Sequence, residues 1–140
     1  MSDQKHLEAT LQRDIDVIRS KVQRMASLAE SALNNSLKAL FEKNGQLAYS
    51  VILHDQEIDE SEKEIDRLCL EFLVRQQPAA GPLRFVYATI KINLELERIG
   101  DYAESIARRG LVVNSLNLDL DYSDFVAISE TSISMLKSSI

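Results

Sequence analysis

Asp55 and Asp59 in the segment HDQEIDESEKEID, and Glu97 and Asp101 in ELERIGDYAESIA, form two carboxylate pairs at four-residue spacing. On a helix that spacing puts both members of a pair on one face. Each pair interrupts a stripe that otherwise reads as apolar. Carboxylates brought together from neighbouring helices repel by about 1 to 4 kcal/mol per close contact, unless a proton or a cation lies between them. The helical neighbours of Asp55 are Val51, Ile52, Ile58 and Asp59, and those of Glu97 are Asn93, Leu94, Gly100 and Asp101, so neither has a cation within reach along its own helix. Arg98 can reach Asp101 and Lys63 can reach Asp59, which gives the second member of each pair a purely structural account. In an acidic chain such pairs also arise as ordinary solvated helix faces, and that reading stands beside the metal reading.

If a cation is held, Asp55, Asp59, Glu97 and Asp101 are the candidate ligands. An all-oxygen set favours iron, manganese, magnesium or calcium, and suits zinc less well. His54 projects about 100° away from Asp55 and reads as an exposed or core-edge residue. Glu62 and Asp66 repeat the four-residue spacing further on, and Asn93 lies one turn before Glu97, so these three extend an oxygen-rich stripe or are simply hydrated. Arg98 and Tyr102 flank the second pair and offer hydrogen bonds to it from behind. Gly100 costs about 1 kcal/mol relative to alanine inside a helix, which points to a close approach at that backbone, by a packed helix or by an ion.

The elements that must position these residues are long helices. Only four Gly and two Pro punctuate 140 residues, at Asn44-Gly45 and within QQPAAGP (76–82), with a further break over 114–121. A first helix over about 4–42 carries Leu11, Ile15, Ile18, Val22, Met25, Ala29, Leu33 and Leu40 at three- and four-residue steps. A second over about 46–75 carries Val51, Ile58, Ile65, Cys69 and Phe72, its stripe interrupted by Asp55 and Glu62. A third begins after Gly81-Pro82, with the stripe Leu83, Val86, Ile90, Leu94, Glu97, Asp101, Ile106 and Leu111. Short linkers predict an all-α, antiparallel three-helix bundle over residues 1–113. Residues 114–140 read as a linker and a short fourth helix, whose apolar residues suggest the start of a repeat when shifted by 103 positions, Met25 falling on Ile128 and Leu33 on Leu136. A fourth helix with no following partner would leave an apolar stripe wet, which predicts a homodimer.

Composition narrows the function classes. Twenty-two acidic against sixteen basic residues give a net charge of -6, without any Lys/Arg cluster, which disfavours a nucleic-acid partner. No apolar run approaches the roughly 20 residues a bilayer requires, so direct membrane insertion is not expected. The single Cys69, between Leu68 and Leu70, reads as a small core residue of a reducing compartment, and a cytoplasmic location is expected. A nucleophile elbow, a phosphate-cradling Gly loop, a Cys/His pair and zinc spacing are all absent. A carboxylate-bridged two-metal enzyme normally adds His ligands, and none accompanies these acids. The expectation is therefore a non-catalytic helical regulator that binds metal, against the alternatives of such an enzyme or a plain helical interaction module.

The stretch KINLELERIGDYAESIARR resembles the signature of the PhoU family of phosphate-uptake regulators, whose helices carry E-x-x-x-D or D-x-x-x-D motifs. A looser similarity runs over Leu7 to Leu111, including the DQEIDESEKEID start of the second helix. The resemblance implies a three-helix repeat, of which family members commonly contain two. It implies that Asp55, Asp59, Glu97 and Asp101 bind a metal ion or a multinuclear cluster, and that the chain acts as a negative regulator of phosphate signalling and uptake. It also implies partners, a membrane sensor kinase and the ATPase of a phosphate transporter. The chain departs from the family by ending barely into a second repeat.

Overall fold

The computed structural model describes residues 1–140 as four α-helices: α1 (Ser2–Glu42), α2 (Gly45–Gln76), α3 (Ala80–Ser115) and α4 (Ser123–Ser139). α1, α2 and α3 pack against one another in an up-down-up bundle, and α4 lies on α1 alone. The expected boundaries agree with these to within two residues at most helix ends.

The turns are made by capping geometry. Lys43 closes α1 in the left-handed conformation, φ 52° and ψ 40°, and the Asn44 amide donates back to the Ala39 carbonyl at 2.9 Å. Asn44 then caps α2, its Oδ1 accepting from the Leu47 amide at 3.1 Å. Two residues thus end one helix and start the next. Gln77 (φ 40°) ends α2 in the same way, and Pro82 sits in the first turn of α3, where a missing amide costs nothing.

The core has two parts. Around mid-bundle, Ile18, Met25, Ile58, Ile65, Cys69, Phe72, Val86 and Leu96 interlock; toward the α1–α2 turn the contacts pass to Ala39, Ala48, Val51, Ala103 and Ala107. Alanines let the helices approach closely there, and large side chains fill the wider middle. On α3 the core stripe is Val86, Thr89, Asn93, Leu96, Gly100, Ala103, Ala107 and Gly110. This corrects the expected one: Leu83 and Leu94 are exposed, and the buried face is built from small and polar residues one step around the helix. Counting only large apolar residues located the neighbouring strip. Cys69 is buried as expected, and burial pushes its thiol up to about 11.

Candidate metal centre

The antiparallel register of α2 and α3 sets the site. Asn93, itself buried, donates from Nδ2 to the Glu62 carbonyl at 2.9 Å, and Gly100 lies against Ile58 so closely that a Cβ there would sit 3.0 and 3.1 Å from its Cγ2 and Cδ1. Helix packing is thus one reason for Gly100, and Asp55 Oδ1 also lies 3.5 Å from that Cβ position. That close approach brings Asp55, Asp59 and Asp101 together, each with a carboxylate oxygen within 4.8 Å of the others.

Asp55 is the focus. Its Oδ1 is buried, and no donor reaches it. Burial, first, raises its pKa to about 7; a hydrogen bond shared with the Glu104 carboxyl and repulsion from Asp59, Glu104 and Asp101 add to that. Glu104 moves the other way: Arg108 donates to it at 2.8 Å and, with Asp55, holds its carboxyl below the ordinary range. Asp101 is raised by burial and then by Asp59 and Glu104. Three carboxylate oxygens at this separation, beside a buried Asp55 oxygen without a donor, fit a hard cation, which would cancel the repulsion. Asp55, Asp59 and Asp101 would be its ligands, and Glu104 stands within reach of the same cluster.

Glu104 was missed in the sequence because it forms an ordinary i, i+4 pair with Arg108. The signal available was its position three residues after Asp101, on the α2-facing side of α3. Glu97, by contrast, does not join the three aspartates. It lies nearer Glu62, whose carboxyl is raised by burial and then by Glu97 and Asp66, so the extended stripe forms a second acidic group toward the α2–α3 turn. Asn93 Oδ1 is buried there without a partner. Arg98 does not reach Asp101; it pairs with Glu95 at 2.8 Å. No ion pair joins Lys63 to Asp59, and Tyr102 is exposed without a hydrogen bond to the acids, so the structural account offered for the second members does not hold. His54 is exposed, its Nδ1 2.6 Å from the Ser50 carbonyl, and it stays outside the cluster.

Comparison with known proteins places this geometry in context. A family model described as the PhoU domain matches residues 22–110. The chain is 37% identical over 106 residues to a phosphate-specific transport system accessory protein PhoU homolog of Pseudomonas putida, covering 76% of this chain and 41% of that protein. It is 34% identical over 107 residues to the accessory protein PhoU of Escherichia coli, covering 76% of the chain and 44% of that protein. The crystal structure of PhoU from Pseudomonas aeruginosa superposes with a TM-score of 0.87 at 31% identity, covering 90% of this chain and 61% of that one. The chain thus spans less than half the length of these two curated relatives.

Proposed function

This chain belongs to the PhoU domain family, and from that membership we propose that it is a non-catalytic regulator of phosphate uptake whose α2–α3 face binds a metal ion. The observation that supports the metal reading is the approach of carboxylate oxygens of Asp55, Asp59 and Asp101 to within 4.8 Å of one another, with Oδ1 of Asp55 buried and lacking a donor. The ion is iron, manganese, magnesium or calcium, held by these three, with Glu104 as a further carboxylate and Glu97, Glu62 and Asp66 available to a second ion. Its chemistry is structural: it ties α2 to α3, and its loss would loosen the face they share. The accessory role named for the relatives, extended by the family resemblance, gives the partners as a membrane sensor kinase and a transporter ATPase, met in the cytoplasm. An all-carboxylate set without histidine favours this reading over a two-metal enzyme.

Elemental analysis of purified wild type beside Asp59→Asn and Asp101→Asn variants is the test. Stoichiometric metal in the wild type, lost in both variants, is expected. Equal, negligible metal in all three would leave a plain helical interaction module. Turnover of phosphoesters by the metal-loaded wild type would overturn the non-catalytic assignment.

A further inference from the structure

The α1–α2 turn holds the one asparagine of the chain that precedes a glycine, Asn44-Gly45; Asn34, Asn35, Asn93, Asn114 and Asn117 are all followed by bulkier residues. The backbone nitrogen after an asparagine is placed to attack that residue's Cγ through a five-membered ring, and glycine puts no side chain in the way. Asn44 is exposed, and the Gly45 amide, at the start of α2, is one of the orphan donors of a helix end and makes no backbone hydrogen bond. What protects the pair is the cap. Asn44 stands at φ -94° and ψ 94°, its Oδ1 accepts from the Leu47 amide at 3.1 Å, and its carbonyl accepts from the Ala48 amide at 3.1 Å. At that ψ the Gly45 nitrogen lies nearly opposite Cβ about the Cα–C bond, whereas ring closure requires it to eclipse Cβ. The capped turn therefore blocks the attack, and fraying of the first turn of α2 permits it. Lys43, held in the left-handed region at φ 52°, adds a local cost that such opening relieves.

We propose that Asn44 is a site of spontaneous covalent modification in the folded chain, a deamidation gated by the first turn of α2. Once that turn opens, the Gly45 nitrogen gives up its proton and bonds to Cγ, while the Cγ–Nδ2 bond breaks and Nδ2 leaves as ammonia. Water then opens the cyclic imide at one of its two carbonyls, with no change of oxidation state. Opening at Cγ gives aspartate; opening at the backbone carbonyl gives isoaspartate, with the main chain rerouted through Cβ and Cγ. The two products act oppositely on the hairpin. Aspartate keeps the capping oxygen and brings a negative charge to the positive end of α2, whose first turn otherwise holds no acid. Isoaspartate adds a carbon to a two-residue turn and displaces the cap, which loosens the junction where Ala39, Ala48 and Val51 pack. The inference does not rest on the metal site, which begins about three helical turns further along α2.

The test is to age the whole chain at mildly alkaline pH, folded in buffer and unfolded in urea, and to follow residue 44 by peptide mass mapping. A gain of about 1 Da at Asn44, ammonia lost and water taken up, is expected in the folded chain, with isoaspartate identified by isoaspartyl methyltransferase labelling. Its rate should fall about tenfold or more below that of the unfolded chain, the factor by which the closed turn outweighs the open one. Asn35 and Asn114, each followed by serine inside a helix, should stay intact in the folded chain. Gly45→Ala should suppress the reaction in both states. The added Cβ would meet only Leu111 Cδ2 at 3.6 Å, an ordinary contact, and retained helical circular dichroism confirms that the fold survives. Asn44 left unchanged in the folded chain after the unfolded chain has converted overturns the inference, since the gate then never opens. Equal rates in the two states overturn the gate itself, and conversion undiminished in Gly45→Ala overturns the chemistry.

Discussion

At the scale of single residues, Asp55 and Gly100 have opposite reasons for their positions. Asp55 is raised to about 7 from an ordinary value of 3.8, by burial first and then by Glu104 and its acidic neighbours. The folded chain therefore holds a proton there that the unfolded chain has released, and this contributes stability at acid pH that is lost as pH rises through about 7. In EDTA-treated protein, Asp55→Asn is expected to raise stability by about 1 to 2 kcal/mol above pH 7, after discounting for partial exposure, and to change little near pH 4. Thermal melts of both proteins from pH 4 to 8 check this. With metal present the sign reverses, because the ion competes with that proton, and metal affinity of the wild type should climb over the same range. Gly100→Ala pits a helix-propensity gain of about 1 kcal/mol against contacts of 3.0 and 3.1 Å with Ile58, which is 2% exposed and has nowhere to retreat. A net loss of about 1 kcal/mol is expected by urea denaturation, partly recovered in the Ile58→Val background, where the Cδ1 contact is gone.

At the scale of the element, helix existence was legible in the sequence, and the face of α3 was not. Apolar residues recur along α1 at every turn, so its buried stripe of Ile15, Ile18, Met25 and Ala29 follows from spacing alone. On α3 the core positions are Thr89, Asn93, Gly100, Ala103, Ala107 and Gly110, because close helix approach selects for small size, a property hydrophobic periodicity does not weigh. The same limit split the candidate site. Four-residue spacing found Asp55, Asp59 and Asp101, but only the register between α2 and α3 could assign Glu97 to a second group and bring Glu104 to the first. The turn also differed in detail: Asn44-Gly45 marked the break, yet the left-handed residue is Lys43. A side chain at that φ costs about 1 kcal/mol that glycine avoids, so Lys43→Gly is expected to stabilise the chain by about 0.5 to 1 kcal/mol in chemical denaturation.

At the scale of the whole molecule, α4 stands apart. Val126, Ser129 and Ile133 line a cleft with Leu37 and Phe41 of α1, and Lys137 reaches Glu30 at 3.5 Å, while Phe125, Ile128 and Met135 remain 60 to 68% exposed. The shift of 103 residues puts these three over Val22, Met25 and Ala32, which belong to the stripe α1 turns into the bundle core. α4 therefore carries a core-facing stripe with no core beside it. Beside it, Leu136 and Ile140 complete an open apolar groove with Val22, Ile92 and Ile99. The charges lining this groove, Lys91 and Glu95, are of opposite sign, unlike the acidic α2–α3 face, so two copies can meet here without net repulsion. Light scattering across micromolar concentrations should give a mass near twice the 15.8 kDa of the chain. Ile128→Glu with Met135→Glu should return it to the monomer, since burying two carboxylates in an apolar seam without partners costs several kcal/mol. Because both side chains point away from the three-helix core, the melting of that core should shift little. A monomeric wild type at every concentration would show that the α4 stripe is not covered by a second copy.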